Sequence, residues 1–151
     1  MNESISKWLT LSREELDQIY KETAAGNIPS GEARGTAIVA GSEGAKLYAR
    51  FARIFAWQGK VFDLFPPDQQ QGILINKISA LSLTFIVAKV YRGKSWMDGK
   101  ETIIIDYSTT SFFAKKIRDE IREVEAGIYL GKVWWGKTRI LDFALNSNGP
   151  F

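Results

Sequence analysis

The sequence predicts a mainly β fold: an antiparallel barrel with an N-terminal helix and one or two further helices packed outside it. Three observations carry this. About seven or eight short segments alternate apolar and polar residues with a period of two. Two pairs of these segments flank tight turns, one closed by Asp98-Gly99 and one around Gly136-Lys137, as β-hairpins do. Strands joined by hairpins must also hide their outer edges, which a closed barrel does most completely. Eight strands enclose an interior just wide enough for side chains or one small ligand.

The first element is a helix. Ser12 and Glu15 form the pattern of a capping box, Leu11 can staple onto Leu16, and Leu16, Ile19 and Tyr20 share one face. Gly26, Asn27 and Pro29 end it. A second helix is predicted over Ala45–Trp57, with Leu47, Phe51, Ile54 and Phe55 as its apolar stripe. Strands are predicted at Arg34–Ala40, Gln58–Leu64, Gly72–Ile78, Leu83–Arg92, Glu101–Tyr107, Ile128–Trp135 and Thr138–Leu145. Ser111–Val124 reads as a helix, because Phe113, Ile117, Ile121 and Val124 recur at 4, 4 and 3 with Gly127 as a stop, although part of it also fits an edge strand. Gly-Lys recurs at 59, 93, 99, 131 and 136, read as turn or bulge glycines beside exposed, edge-protecting lysines.

Length and composition set the limits. The 151 residues form one domain, 1–151, with 1–30 as an N-terminal helical segment and 31–146 as the barrel. Cysteine and histidine are absent, which removes disulfides, thiolate nucleophiles, Cys/His zinc sites, His- or Cys-ligated haem and His-based triads. No metal and no cofactor is expected. The net charge of +3 is small and its basic residues are interleaved with acidic ones, as in Lys115-Lys116-Ile117-Arg118-Asp119-Glu120, so no nucleic-acid partner is expected. There is no signal-peptide pattern, and the longest near-apolar run, Ile78–Ala88, is too short to span a bilayer. A cytoplasmic protein is expected, and a homodimer is compatible with it.

Gly131-Lys132-Val133-Trp134-Trp135-Gly136-Lys137-Thr138 spells a phosphate-binding loop at every position. That chemistry needs a small, permissive backbone opening a helix. Here bulky strand formers fill the loop, and a strand-like alternation follows it. Asp106 ends an apolar strand beside Tyr107, so desolvation could raise its pKa for acid–base work, or it could simply cap the turn at Ser108-Thr109. Glu120, Glu123 and Glu125 read as a solvated face.

The aromatic set is more persuasive. Tyr129, Val133 and Trp135 share one strand face, with Lys132 marking the opposite face as exterior; Ile103, Ile105 and Tyr107 share a face in the same way. Inward rings suit an apolar ligand that needs a few hydroxyl or indole donors, and they equally suit a solid aromatic core. The candidate ligand-binding residues are Trp57, Tyr91, Tyr107, Arg118, Arg122, Tyr129 and Trp135, with Arg34 as a further possible partner for a ligand carboxylate.

Gly31-Glu32-Ala33-Arg34-Gly35 and Trp57-Gln58-Gly59-Lys60-Val61-Phe62 resemble segments of the bacterial GXWXG-type proteins, as do Asp106-Tyr107 and Gly127-Ile128-Tyr129-Leu130-Gly131. Those proteins look like small lipocalin-related, calycin-like barrels of unknown function. The motif tryptophan is Ala33 here, so another ring, Trp57, would have to plug the closed end. The resemblance implies a ligand-holding barrel and supplies no catalytic residues.

Three functions follow as expectations. The first is a barrel that binds a small apolar or amphipathic molecule such as a fatty acid or isoprenoid. The second is a metal-free isomerase or cyclase using Asp106 and Tyr107 in the same interior. The third is a structural or partner-binding domain with a filled interior.

Overall fold

The structure, a computed structural model, describes residues 1–39, 45, 46, 49, 57–78, 85–110, 112 and 114–149, with the backbone alone at 57, 58, 77, 78 and 85. Eight antiparallel strands close into a barrel in chain order: β1 (Gly31–Ile38), β2 (Trp57–Leu64), β3 (Gln71–Ile78), β4 (Phe85–Lys94), β5 (Glu101–Asp106), β6 (Ile117–Glu125), β7 (Ile128–Trp135) and β8 (Thr138–Asn146). Closure comes from β1 pairing with β8, Arg34 opposite Asn146 through Ile38 opposite Asp142. Every strand is hydrogen-bonded on both sides, so the barrel has no free edge.

Two helices, α1 (Glu3–Trp8) and α2 (Arg13–Glu22), precede the barrel. The Ser12 side chain accepts from the Glu15 backbone, and the Glu15 side chain accepts from the Ser12 backbone, which makes the predicted capping box. Ile5, Trp8, Leu16 and Tyr20 of these helices pack on Ile38, Ile128, Leu130 and Ala144, the outward residues of β1, β7 and β8. The exterior of that wall is therefore a second apolar layer rather than a solvated face.

Of the segment 111–124, none of the described residues, 112 and 114–124, is helical. After a turn at 114–116 it runs as β6, with Ile117, Asp119 and Ile121 inward and Arg118, Glu120 and Arg122 outward. Spacings of four fit a period of two as well as a helical one, and pairing to β5 and β7 decides between them. Gly127, expected as a helix stop, instead turns β6 into β7 at a positive φ of 72°. Of the predicted helix Ala45–Trp57, Ala45, Lys46 and Ala49 are helical, Trp57 opens β2, and the rest lies outside the described residues.

The phosphate-loop spelling falls on β7, a two-residue turn and β8, so it opens no helix. Gly131 serves packing, since a Cβ there would run into the Phe143 ring across the β7–β8 pair. Among the described residues no helix is long and apolar enough to cross a membrane.

One end of the barrel, where β1 starts and β2 ends, is stopped by the chain between α2 and β1. Ile28 packs into the interior cluster. The Tyr129 hydroxyl donates to the Asn27 carbonyl (2.9 Å), Asn27 N–H donates to Glu123 Oε2 (2.7 Å), Glu123 N–H donates to the Ala25 carbonyl (3.1 Å), and Arg92 Nη2 donates to the Gly26 carbonyl (2.7 Å). Ile28 and Ala33, the position of the motif tryptophan in the resemblance, belong to the same interior cluster. Trp57, the ring expected there, begins β2 at the opposite end of the barrel.

Candidate functional site

Strand alternation dictates what faces the interior. β1 offers Ala33 and Ala37 with Gly35 between them, β2 offers Lys60, Phe62 and Leu64, and β3 offers Leu74 and Asn76. Tyr107 follows β5, and β6 adds Ile117, Asp119 and Ile121. Most of this surface is hydrocarbon or aromatic ring. Lys60, Asn76, Tyr107 and Asp119 form a polar exception, and all four are buried.

They make one connected chain. Lys60 Nζ donates to Asn76 Oδ1 (2.8 Å), its partner directly across the β2–β3 pair, and reaches the Tyr107 hydroxyl at 3.5 Å. Asn76 Nδ2 donates to that hydroxyl (2.9 Å), which in turn donates toward Asp119 Oδ2 (3.4 Å). Lys60 Nζ and Asp119 Oδ2 lie 3.9 Å apart. The donors point from the cation toward the anion. Asp119 Oδ1, also buried, has no hydrogen-bond partner among the described residues.

Burial dominates the ionisation of these groups. It pulls the Lys60 ammonium down from 10.5 to about 8, against the opposing charge of Asp119. It pushes the Asp119 carboxyl up from 3.8 to about 6, although the Lys60 charge and the Tyr107 hydrogen bond work the other way. Burial, followed by the Asp119 charge, drives the Tyr107 phenol well above its ordinary value. At neutral pH the pair is ionic, with both members close to losing their charge. Such a cluster can hold a polar atom or pass it a proton.

Of the residues singled out from the sequence, Tyr107, Tyr129 and Trp135 lie on the inward face, with Trp135 only partly buried and Tyr129 committed to the stopped end. Asp106 and Tyr107 are consecutive in extended chain and so face opposite sides. Asp106 accepts from the Tyr91 hydroxyl (2.9 Å) and from Ser108 N–H (2.9 Å), as a turn cap does. Burial pushes its carboxyl up, but Ser108, Tyr91 and Arg118 together outweigh this and hold it below the ordinary value.

Tyr91 and Arg118 are therefore on the outer face with Asp106. Arg118 forks onto Glu120 Oε1 (2.8 and 3.1 Å) and lies 4.1 Å from the Trp96 ring. Arg122 is fully buried beneath α2 and grips Asp98 through two 2.7 Å bonds. Arg34 alternates outward from Ala33 and is exposed. The Trp57 side chain lies outside the described residues.

Sequence reasoning missed Lys60, Asn76 and Asp119. From the sequence alone Lys60 reads as an exposed edge lysine and Asp119 as part of a mixed-charge run. Of the five Gly-Lys lysines, Lys94, Lys100 and Lys137 are exposed, whereas Lys60 is buried inside the barrel and Lys132 outside it under α2, 2.9 Å from Asp17. Glu120, expected on a solvated face, is also fully buried; it accepts from Ser95 Oγ (2.6 Å), Trp96 N–H (2.8 Å) and Arg118.

No family model and no curated protein matches the chain. Among solved structures it is similar to a protein from Thermomonospora curvata known by its crystal structure, at 19% identity and a TM-score of 0.57, covering 96% of this chain and 93% of that one. At that identity the likeness bears on the fold alone.

Proposed function

We propose that the barrel holds a small apolar or amphipathic molecule, such as a fatty-chain or isoprenoid derivative, with its polar end at the Lys60–Asn76–Tyr107–Asp119 cluster. The observation that carries this reading is the buried, ionisable cluster itself, set within an otherwise apolar interior. A fold selected only for stability gains little from it, because replacing a buried ion pair by well-packed apolar residues is often neutral or stabilising. The cost is explained if the groups serve a guest. The inward face of β1, limited to alanine and glycine, adds no bulk that would compete with one.

Of the residues expected from the sequence to touch a ligand, Tyr107 and Trp135 fit this site. The test is native mass spectrometry of the purified protein together with a thermal-shift screen of fatty acids, fatty alcohols and isoprenoids. A retained adduct is expected, or a rise of about 5–10 °C for a ligand at a hundred times its Kd. A bare chain mass and an unmoved transition across the whole panel contradict the proposal.

A further inference from the structure

We infer that the molecule held in the barrel presents a neutral hydrogen-bond donor, a hydroxyl, to Asp119 Oδ1, and not a free carboxylate; this rests on the ligand-holding reading above. Asp119 is almost wholly buried on the inward face of β6, between Ile117 and Ile121. Its Oδ2 receives the Tyr107 hydroxyl and faces Lys60, while Oδ1 receives no hydrogen bond among the described residues. A buried acceptor left without a donor carries its full desolvation penalty, so an occupant able to donate there gains more than one that cannot.

Among the described residues two other buried side-chain atoms lack hydrogen bonds, and neither serves this purpose. Asp142 Oδ1 lies 3.0 Å from the Lys132 ammonium, and Trp134 Nε1 belongs to a ring packed edge-on against Trp96 at 5.7 Å; both are outside the barrel.

Charge selects among donors and against acids. Among the described residues, Lys60 is the only fully buried cation on the inward face, and it already faces Asn76, Tyr107 and Asp119. Arg122 and Lys132, the other fully buried cations, are outside under α2. A ligand carboxylate would put a second anion beside Asp119, and among the described residues no second buried inward cation balances it. An alkylammonium could satisfy Oδ1 but would meet the Lys60 ammonium. A hydroxyl donates to Oδ1 without either conflict and keeps an oxygen that Lys60 can address.

The experiment is calorimetric titration at about pH 7 with four probes of one chain length: decan-1-ol, decanoic acid, decylamine and methyl decanoate. The alcohol is expected to bind about tenfold or more tighter than each of the others, the scale of one hydrogen bond to a charged acceptor. In Asp119→Asn, whose amide can itself donate, the preference for alcohol over acid should shrink to within about threefold. The wild-type series stands alone if that variant fails to fold. An acid or ester that binds the wild type as tightly as the alcohol overturns the inference and leaves the ligand-holding reading standing. So does a preference that survives unchanged in a folded Asp119→Asn. Failure of all four probes to bind overturns both.

Discussion

Truncating Asp119 to alanine is expected to destabilise the protein by about 3–5 kcal/mol, a fall in Tm of roughly 10 °C or more, because it removes the Asp119 charge that faces the buried Lys60 ammonium. The double variant Lys60→Met/Asp119→Leu should be far milder than the two single losses added together, since apolar side chains of similar volume remove the desolvation cost along with the attraction. Urea denaturation of the four members of this cycle measures it. Single losses that simply add would mean the two charges do not act as a pair.

The same pair predicts a pH signature. Asp119 titrates at about 6 in the folded chain against an ordinary 3.8, so between those values the folded state binds more protons than the unfolded one, and stability falls as pH rises. Lys60 titrates at about 8 against 10.5, so above pH 8 the folded state binds fewer protons and stability returns as pH rises. The pair therefore costs most between about pH 6 and 8. Other carboxylates, among them Asp17 and Asp98, are held low and contribute slopes of the opposite sign in acid. The signature is thus the difference between wild type and Lys60→Met/Asp119→Leu: least favourable to the wild type near neutrality, and narrowing on both sides. A flat difference curve would show that the pair is not desolvated.

Arg122→Leu is expected to cost a further about 3–5 kcal/mol by a different route. Its guanidinium makes two bonds to Asp98, donates to the Tyr20 carbonyl (2.9 Å) and the Glu101 carbonyl (3.2 Å), and stacks 4.3 Å from the Tyr20 ring. One side chain thus ties together β6, the β4–β5 turn and α2. Arg122→Lys should recover less than half of the loss, because an ammonium lacks the planar fork that meets both Asp98 oxygens. Amide exchange should show α2 losing protection well before the strands. Equal loss of protection in α2 and in the barrel would argue that the helix is fastened by its apolar face alone.

Much of the barrel was legible in the sequence, because a period of two is a direct record of which side of a sheet a residue faces. Tyr129, Val133 and Trp135 were read inward and Lys132 outward, and the β7–β8 and β4–β5 hairpins were read from their turns. Alternation tells the side but not the cover. Lys132, Arg122 and Glu120 are outward yet buried, because α1, α2 and the β4–β5 turn lie over them, and no local pattern in β6 or β7 records that.

The candidate site was obscured for a related reason. An interior lysine beside a glycine looks like an edge lysine until closure removes the edges. An aspartate between Arg118 and Glu120 looks solvated until Ile117 and Ile121 are counted at a period of two. That count was available, and the helical spacing of the same isoleucines hid it. Pairing of Lys60 with Asp119 across the barrel depends on closure and has no local signal at all.

The most direct measurement is a crystal structure of the protein grown with decan-1-ol. The expected result is alkyl density along the inward face of β1, with the hydroxyl oxygen within hydrogen-bond reach of Asp119 Oδ1. An interior filled by the protein's own side chains, with Asp119 Oδ1 satisfied by an ordered water and no space for the chain, would contradict the central claim that this polar cluster exists to receive a guest.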